Sequence, residues 1–333
     1  MTDFHDMYEE DESPSREQPD LDTTLQTLAA NKDGSANTTI FYGLANLGAQ
    51  EIAQVQLVWD NLFPEYRAKL LKQLVDISET NFELNYRELG LMALTDSDAD
   101  VRVNAIEVLW EDESLELMDR LIDMAQWDES DMVRAAAAGA LGHFILLGEL
   151  GDLPENETIR AQDAAISLLT NDQENLDVRR RALEAISNCS HEIVNEAIDE
   201  AYNSDDAQMQ ASAVFAMGRS CDSRWNEAVV QAFESDDPEI RFEATRASGE
   251  LAIEEALPIL ARFAQEDDRE IKEMAIWSLG EIGGNFPVRV LGSLAEEAAD
   301  ANDLELLEAI EEAIGNASLA GQDMDLDDLD DLD

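Results

Sequence analysis

Cys189, His191 and Cys221 are the residues of this chain whose types and spacing come nearest to a reactive cluster. Thiolate and imidazole are soft donors suited to zinc, but a structural zinc site takes four ligands. No fourth ligand accompanies them and no C-x-x-C occurs, so no metal site is expected. Two Cys make no disulfide framework and read as reduced thiols of a cytoplasmic protein. The other two His, His5 and His143, stand apart. There is no Gly-rich phosphate loop and no nucleophile elbow. With 76 Asp and Glu, carboxylate pairs at any spacing arise by chance. No catalytic residue and no cofactor is therefore expected.

A different chemistry, recognition without turnover, is offered by Phe215, Phe242, Met274 and Trp277 with Arg180, Arg181 and Arg246 near them. Aromatic and Arg side chains dominate interface hot spots. These residues hold equivalent places in a repeat. "SDDAQMQASAVFAMGRSC" at Ser204, "SDDPEIRFEATRASGELA" at Ser235 and "EDDREIKEMAIWSLGEIG" at Glu266 share one frame, 31 residues apart. An aliphatic residue is usually followed by Arg, has a small residue four positions on, and often Gly nine on. The aliphatic positions are Val101, Val133, Val178, Met209, Ile240 and Ile271, with degenerate copies at Tyr66 and Leu306.

Each copy reads as a helix start. Asp98, Ser130, Asn175, Asp206, Asp237, Asp268 and Asp303 stand three before the aliphatic position, where their side chains can accept from the first turn's free N–H groups. Ala105, Ala137, Ala182, Ala213, Ala244 and Ala275 at the +4 position imply close helix–helix approach. Gly142, Gly218, Gly249 and Gly280 are expected to end or loosen the helices. A second amphipathic helix, a run of about ten residues that stops at an acidic turn, precedes each copy, as in "SLELMDRLIDMAQ", "EIVNEAIDEAYN", "NEAVVQAFE" and "EEALPILARFAQ". One such pair cannot bury its apolar face alone, so neighbours must stack into a solenoid. The interval from Val133 to Val178 is 45, and its extra residues lie in "HFILLGELGDLPENET". The apolar part is expected to prolong its helix and "GDLPENE" to form a loop.

"DDPEIRFEATRASGELA" with "EEALPILARFAQEDDREIK" resembles the short bacterial and archaeal HEAT repeat of the phycobilin-lyase type, over about three quarters of the chain. The expected fold is all-α: a right-handed α-solenoid, an α–α superhelix of HEAT-like or armadillo type, with about eight helix pairs. The resemblance implies that Arg102, Arg134, Arg179, Arg241 and Lys272 form an intramolecular ladder with the turn acids; Gln210 departs from it. The family's di-iron hydroxylases show repeated His-Glu pairs, whereas this chain has His191–Glu192 alone. Residues 38–318 are assigned to the solenoid. Residues 1–37 and 319–333 are assigned to acidic, unstructured ends, the second ending in "LDDLDDLD".

The formal net charge is -55, from 76 acidic and 21 basic residues. Such a surface repels phosphate, so nucleic acid and anionic membrane are excluded as partners. Only Lys32, Lys69, Lys72 and Lys272 are Lys, a bias that fits a salt-adapted host or a solubility device. No run of 18 apolar residues occurs and "MTDFHDMYEEDES" is no secretory signal. If the stack is built from the aliphatic, +1, +4, +5 and +8 positions, then +2, +3 and +6 face outward. That places Arg180, Arg181, Phe215, Phe242, Arg246, Met274 and Trp277 on the exposed side as a partner-binding set. The expected function is a non-enzymatic interaction scaffold or adaptor for a protein or peptide, basic partners included. Two alternatives stay open: a bilin-lyase-like enzyme or assembly factor, and an acidic chaperone or nucleic-acid mimic shielding basic proteins.

Overall fold

The computed structural model describes residues 19–30 and 38–327, and every regular element among them is a helix. The chain divides into two compact units, at Asp112 and Glu113. The first unit holds α1 (Leu21–Ala30), α2 (Thr38–Leu44), α3 (Ala49–Trp59), α4 (Pro64–Thr80), α5 (Arg87–Ala93) and α6 (Ala99–Val108). The second begins with α7 (Leu115–Trp127), α8 (Asp131–Leu150), α9 (Glu155–Leu169) and α10 (Leu176–Ile186). It continues with α11 (Ile193–Tyr202), α12 (Ala207–Arg219), α13 (Asn226–Ala232) and α14 (Pro238–Glu250). It ends with α15 (Leu257–Phe263), α16 (Arg269–Ile282), α17 (Asn285–Ala301) and α18 (Leu304–Asp327). The eight copies of the frame are the even-numbered helices from α4 to α18, each preceded by its partner helix, which is the shorter of the two except at α9, of 15 residues before the 11 of α10. Within the second unit the helices that carry the frame stack in sequence, α8 on α10, α10 on α12, α12 on α14, α14 on α16 and α16 on α18.

The capping residues set where these helices start. Asp98 accepts from Asp100 N and Val101 N, Asn175 from Asp177 N, and Asp206 from Met209 N. Asp237 accepts from Glu239 N and Ile240 N, Asp268 from Glu270 N, and Asp303 from Leu306 N. Ser130 departs from the expectation. Its side chain makes no cap bond, and Asp131 accepts from Met132 N instead. All six +4 alanines are fully buried, as close approach requires.

The +9 glycines do not end their helices. Gly142, Gly218, Gly249 and Gly280 lie inside α8, α12, α14 and α16, each against the backbone of the next long helix. A Cβ on them would come 3.0 Å from Ala185 Cα, 2.8 Å from Ala247 Cα, 2.9 Å from Ser278 Cα and 3.0 Å from Ala313 Cα. The contacted residue is always seven past its own aliphatic position, so the same notch recurs along the stack. Chain reversal falls to Gly151 and the Gly283–Gly284 pair, and to Cys221, Ala252 and Asn302 at positive φ.

The ladder implied by the resemblance takes a definite form. Arg102, Arg134 and Arg241 donate to the carbonyl six residues upstream, Asp96 O at 2.8 Å, Asp128 O at 3.0 Å and Ser235 O at 2.7 Å. Gln210 makes the same bond to Ser204 O at 2.8 Å, so its departure in sequence is no departure in structure. Arg67–Asp96 and Arg134–Glu174, both at 2.7 Å, link one pair to the next.

At the 45-residue interval, α8 is prolonged to Leu150, as expected. The loop is shorter than expected, since α9 starts at Glu155. By length and composition α8 could cross a membrane. Here Val133, Ala137, Leu141, Phe144 and Ile145 are buried in a helix that packs on α7, α9 and α10. Within the segment assigned to an unstructured N-terminus, α1 forms a helix, with Thr24 and Leu28 buried beside α2 and α3. Asp20 nucleates it by accepting from Thr23 N and Thr23 Oγ1. At the other end α18 continues past residue 318 to Asp327. Residues 1–18, 31–37 and 328–333 lie outside the described residues.

Candidate functional site

Cys189 is buried while Cys221 and His191 are exposed. Burial pushes the Cys189 thiol above its ordinary range. His191 Nδ1 accepts from Ile193 N at the start of α11, which is a local structural role. Among the described residues no group of three His, Cys, Asp or Glu side chains could hold a metal ion.

The aromatic and Arg set is split by the structure. Arg180 does not face outward. It is 6% exposed, and its Nε donates to Ser212 Oγ at 3.0 Å while Nη2 meets Glu239 at 3.2 Å. Its neighbour α12 covers the +2 position, because the stacked helices are offset and present more than one face to each other. Arg181 is exposed and ion-paired to Glu184 at 2.6 Å. The Arg246 guanidinium lies 4.0 Å from the centre of the Phe215 ring, a cation–π stack between α14 and α12. Arg246 is also held by Glu243 at 2.9 Å and Glu250 at 3.0 Å. Burial raises the Glu243 and Glu250 carboxyls above the ordinary range, and Arg246 pulls both partly back. Phe242 turns the other way and lines a shallow cleft with Pro238, Glu266, Asp268 and Ile271. Met274 is half-buried, and Trp277, 37% exposed, edges the last turn of α14 at Gly249. Phe215 and Arg246 are thus joined, Phe242 is apart from them, and the cations are spent on the protein's own acids.

The repeat frame missed two features. Phe82 and Trp127, at 87% and 77% exposed, sit at helix ends and turns, which a frame built on the longer helices does not sample. The second is a groove of about 650 Å³ between the end of α9 and α11, floored by the first turns of α10 and α12. Leu169 and Met209 are buried in it, and Leu176, Ile193 and Ala197 are half-buried. Asp172, Glu196, Glu200 and Asp205 are exposed along it. Glu196 and Glu200 are one turn apart on α11, a like-charge arrangement that costs about 0.2–0.5 kcal/mol when nothing neutralises it. Their i, i+4 spacing was legible in the sequence, but with so many acids it carried no weight until the helices placed it beside an apolar floor.

A family model described as HEAT repeats matches residues 87–187, 194–280 and 226–315, more than half of the chain. The chain belongs to the HEAT-repeat family. No curated protein matches this HEAT-repeat chain. Among solved structures, YibA of Escherichia coli is 16% identical, with 85% of this chain and 97% of that chain covered, at a TM-score of 0.45. The CpcE–CpcF complex of phycocyanin lyase from Nostoc sp. is 17% identical, with 69% and 94% covered, at 0.45. Human deoxyhypusine hydroxylase is 18% identical, with 79% and 95% covered, at 0.35. At such identities and TM-scores these neighbours carry no argument about activity or partner.

Proposed function

We propose that the protein is a non-enzymatic, cytoplasmic interaction scaffold whose partner is a protein or peptide bearing basic groups. One observation carries this reading. Arg side chains on the helices that carry the repeat frame are consumed by internal pairs, as at Arg134, Arg180, Arg181, Arg246 and Arg269, while a large surplus of carboxylates remains. A surface of this kind steers cationic partners and repels anionic ones. An acidic chaperone that shields basic proteins is one form of the same reading.

The test is affinity capture with the full chain and with a chain lacking residues 321–333, at low and high salt. Basic proteins should be retained by both at low salt and released at high salt. Retention of no protein above an equally acidic control, or transfer of a bilin to a protein thiol by the purified chain, would overturn the proposal.

A further inference from the structure

The α9–α11 groove specifies a partner more closely than general acidity does. Its volume of about 650 Å³ falls in the range of about 300–1,000 Å³ common for sites that enclose compact ligands. The floor of Leu169, Leu176, Ile193, Ala197 and Met209 accepts aliphatic carbon. Above it stand the carboxylates of Asp172, Glu196, Glu200 and Asp205. The one cation of the lining is Arg179, and it is committed. Its Nε donates to Leu169 O at 3.0 Å and its Nη2 lies 3.8 Å from Asp172. Glu196, Glu200 and Asp205 have no ion pair among the described residues. The connection from α9 to α10 runs over 170–175, and Arg179 reaches back across it to Leu169 O in the last turn of α9.

These facts discriminate among occupants. An anion is repelled by the rim. A purely apolar ligand would take carboxylates out of water with nothing to pair them. A cation on an aliphatic stem satisfies both layers, stem on the floor and head on the rim. We propose that this groove docks an extended Lys- or Arg-bearing segment of a partner protein. Its wall α11 has 10 residues and so is about 15 Å long, the reach of four or five residues of extended chain. Alternating side chains of that chain set apolar groups down and cationic groups up toward Glu196 and Glu200. The proposal rests on the scaffold reading and names the partner's chemistry at one place.

The test is fluorescence polarisation of a labelled nonapeptide alternating Leu with Lys and Arg, at about 0.15 M salt, where diffuse attraction is screened beyond about 8 Å. Comparison peptides carry Glu for Lys and Arg, or Ser for Leu. Ala197→Trp fills the groove without altering charge. Glu196→Gln with Glu200→Gln removes two charges at the rim, and Glu308→Gln with Glu311→Gln removes two on the exposed face of α18. Circular dichroism confirms that each variant is folded. The first two variants should weaken the Leu/Lys/Arg peptide about tenfold or more, equivalent to about 1.4 kcal/mol, and the α18 pair less than about twofold. Both comparison peptides should bind weakly. A photo-reactive Leu in the peptide should crosslink within residues 169–209, the span that lines the groove. Equal loss in the α18 pair, no loss in Ala197→Trp, or no binding by the unaltered chain overturns the groove proposal. Those outcomes leave the scaffold reading standing if affinity capture still retains basic proteins. Failure of capture with a peptide seated in the groove would sink the scaffold reading alone.

Discussion

Replacing Gly249 by Ala should destabilise the protein, although Ala is the better helix former. The nascent Cβ would lie 2.9 Å from Ser278 Cα, 2.9 Å from Trp277 Cζ3 and 3.0 Å from Ser278 Cβ. Carbon pairs prefer about 3.5–4.0 Å, so α16 must retreat by about half an ångström or more along its contact with α14. Overpacking of this kind costs about 1–3 kcal/mol. Against it stands a propensity gain of at most about 1 kcal/mol, reduced because Gly249 is in the last turn of α14. The net loss is about 1–2 kcal/mol. Gly292 in α17 and Gly315 in α18 supply the contrast, because a Cβ at either meets nothing within 4 Å. There the same substitution should stabilise by about 0.5–1 kcal/mol through propensity alone. Urea unfolding followed by far-ultraviolet circular dichroism reads the difference, with midpoints moving in opposite directions at unchanged slope. A rise in the Gly249→Ala midpoint comparable to that of Gly292→Ala would refute the account of the repeated Gly as a notch for the next helix.

Three further outcomes are expected. Asp96→Ala strips the partner from Arg67, whose side chain is 7% exposed, and the acceptor from Trp59 Nε1 at 2.8 Å; a loss of about 3–5 kcal/mol is expected, checked by denaturation monitored through Trp fluorescence. Asp206→Ala removes a working cap and should cost about 1 kcal/mol, whereas Ser130→Ala, which removes none, should leave the unfolding midpoint where it is. The third concerns pH. Glu243 has a folded pKa raised first by burial, so its contribution to stability grows as pH falls from neutral through the raised value and is lost as pH rises again. Glu174 goes the other way. Burial raises it, but Arg134 and the Asn175 N–H outweigh that and leave it lowered, so its contribution is present above the ordinary carboxylate range and lost as pH falls through the lowered value. Glu243→Gln should therefore raise the melting temperature at neutral pH and lose that advantage at acid pH, while Glu174→Gln should lower it at neutral pH; the reverse pattern in melting curves would contradict these assignments.

The repeat, its eight helix starts and the buried +4 alanines were determined by the sequence alone, because each depends on interactions within a few residues. An Asp that accepts from N–H groups two or three positions on, or an Ala on the inner face of a period-3.6 helix, carries its reason in local spacing. What lay between repeats needed the tertiary structure. Gly249 could be read as a helix stop until α16 was seen to press on it. Arg180 looked outward by angle, yet Ser212 and Glu239, 32 and 59 residues away, enclose it. The α1 helix escaped notice because its acidic surroundings dominate composition, while its anchorage is two buried side chains beside α2 and α3. The α9–α11 groove was invisible for the same reason: Glu196 and Glu200 are two acids among 76 until helix placement sets them above Leu169 and Met209. Local sequence fixes where helices begin and which stripe is apolar. The offset between stacked helices, which side-chain volumes decide jointly, determines which charges meet, which rings stay in water and where a groove opens.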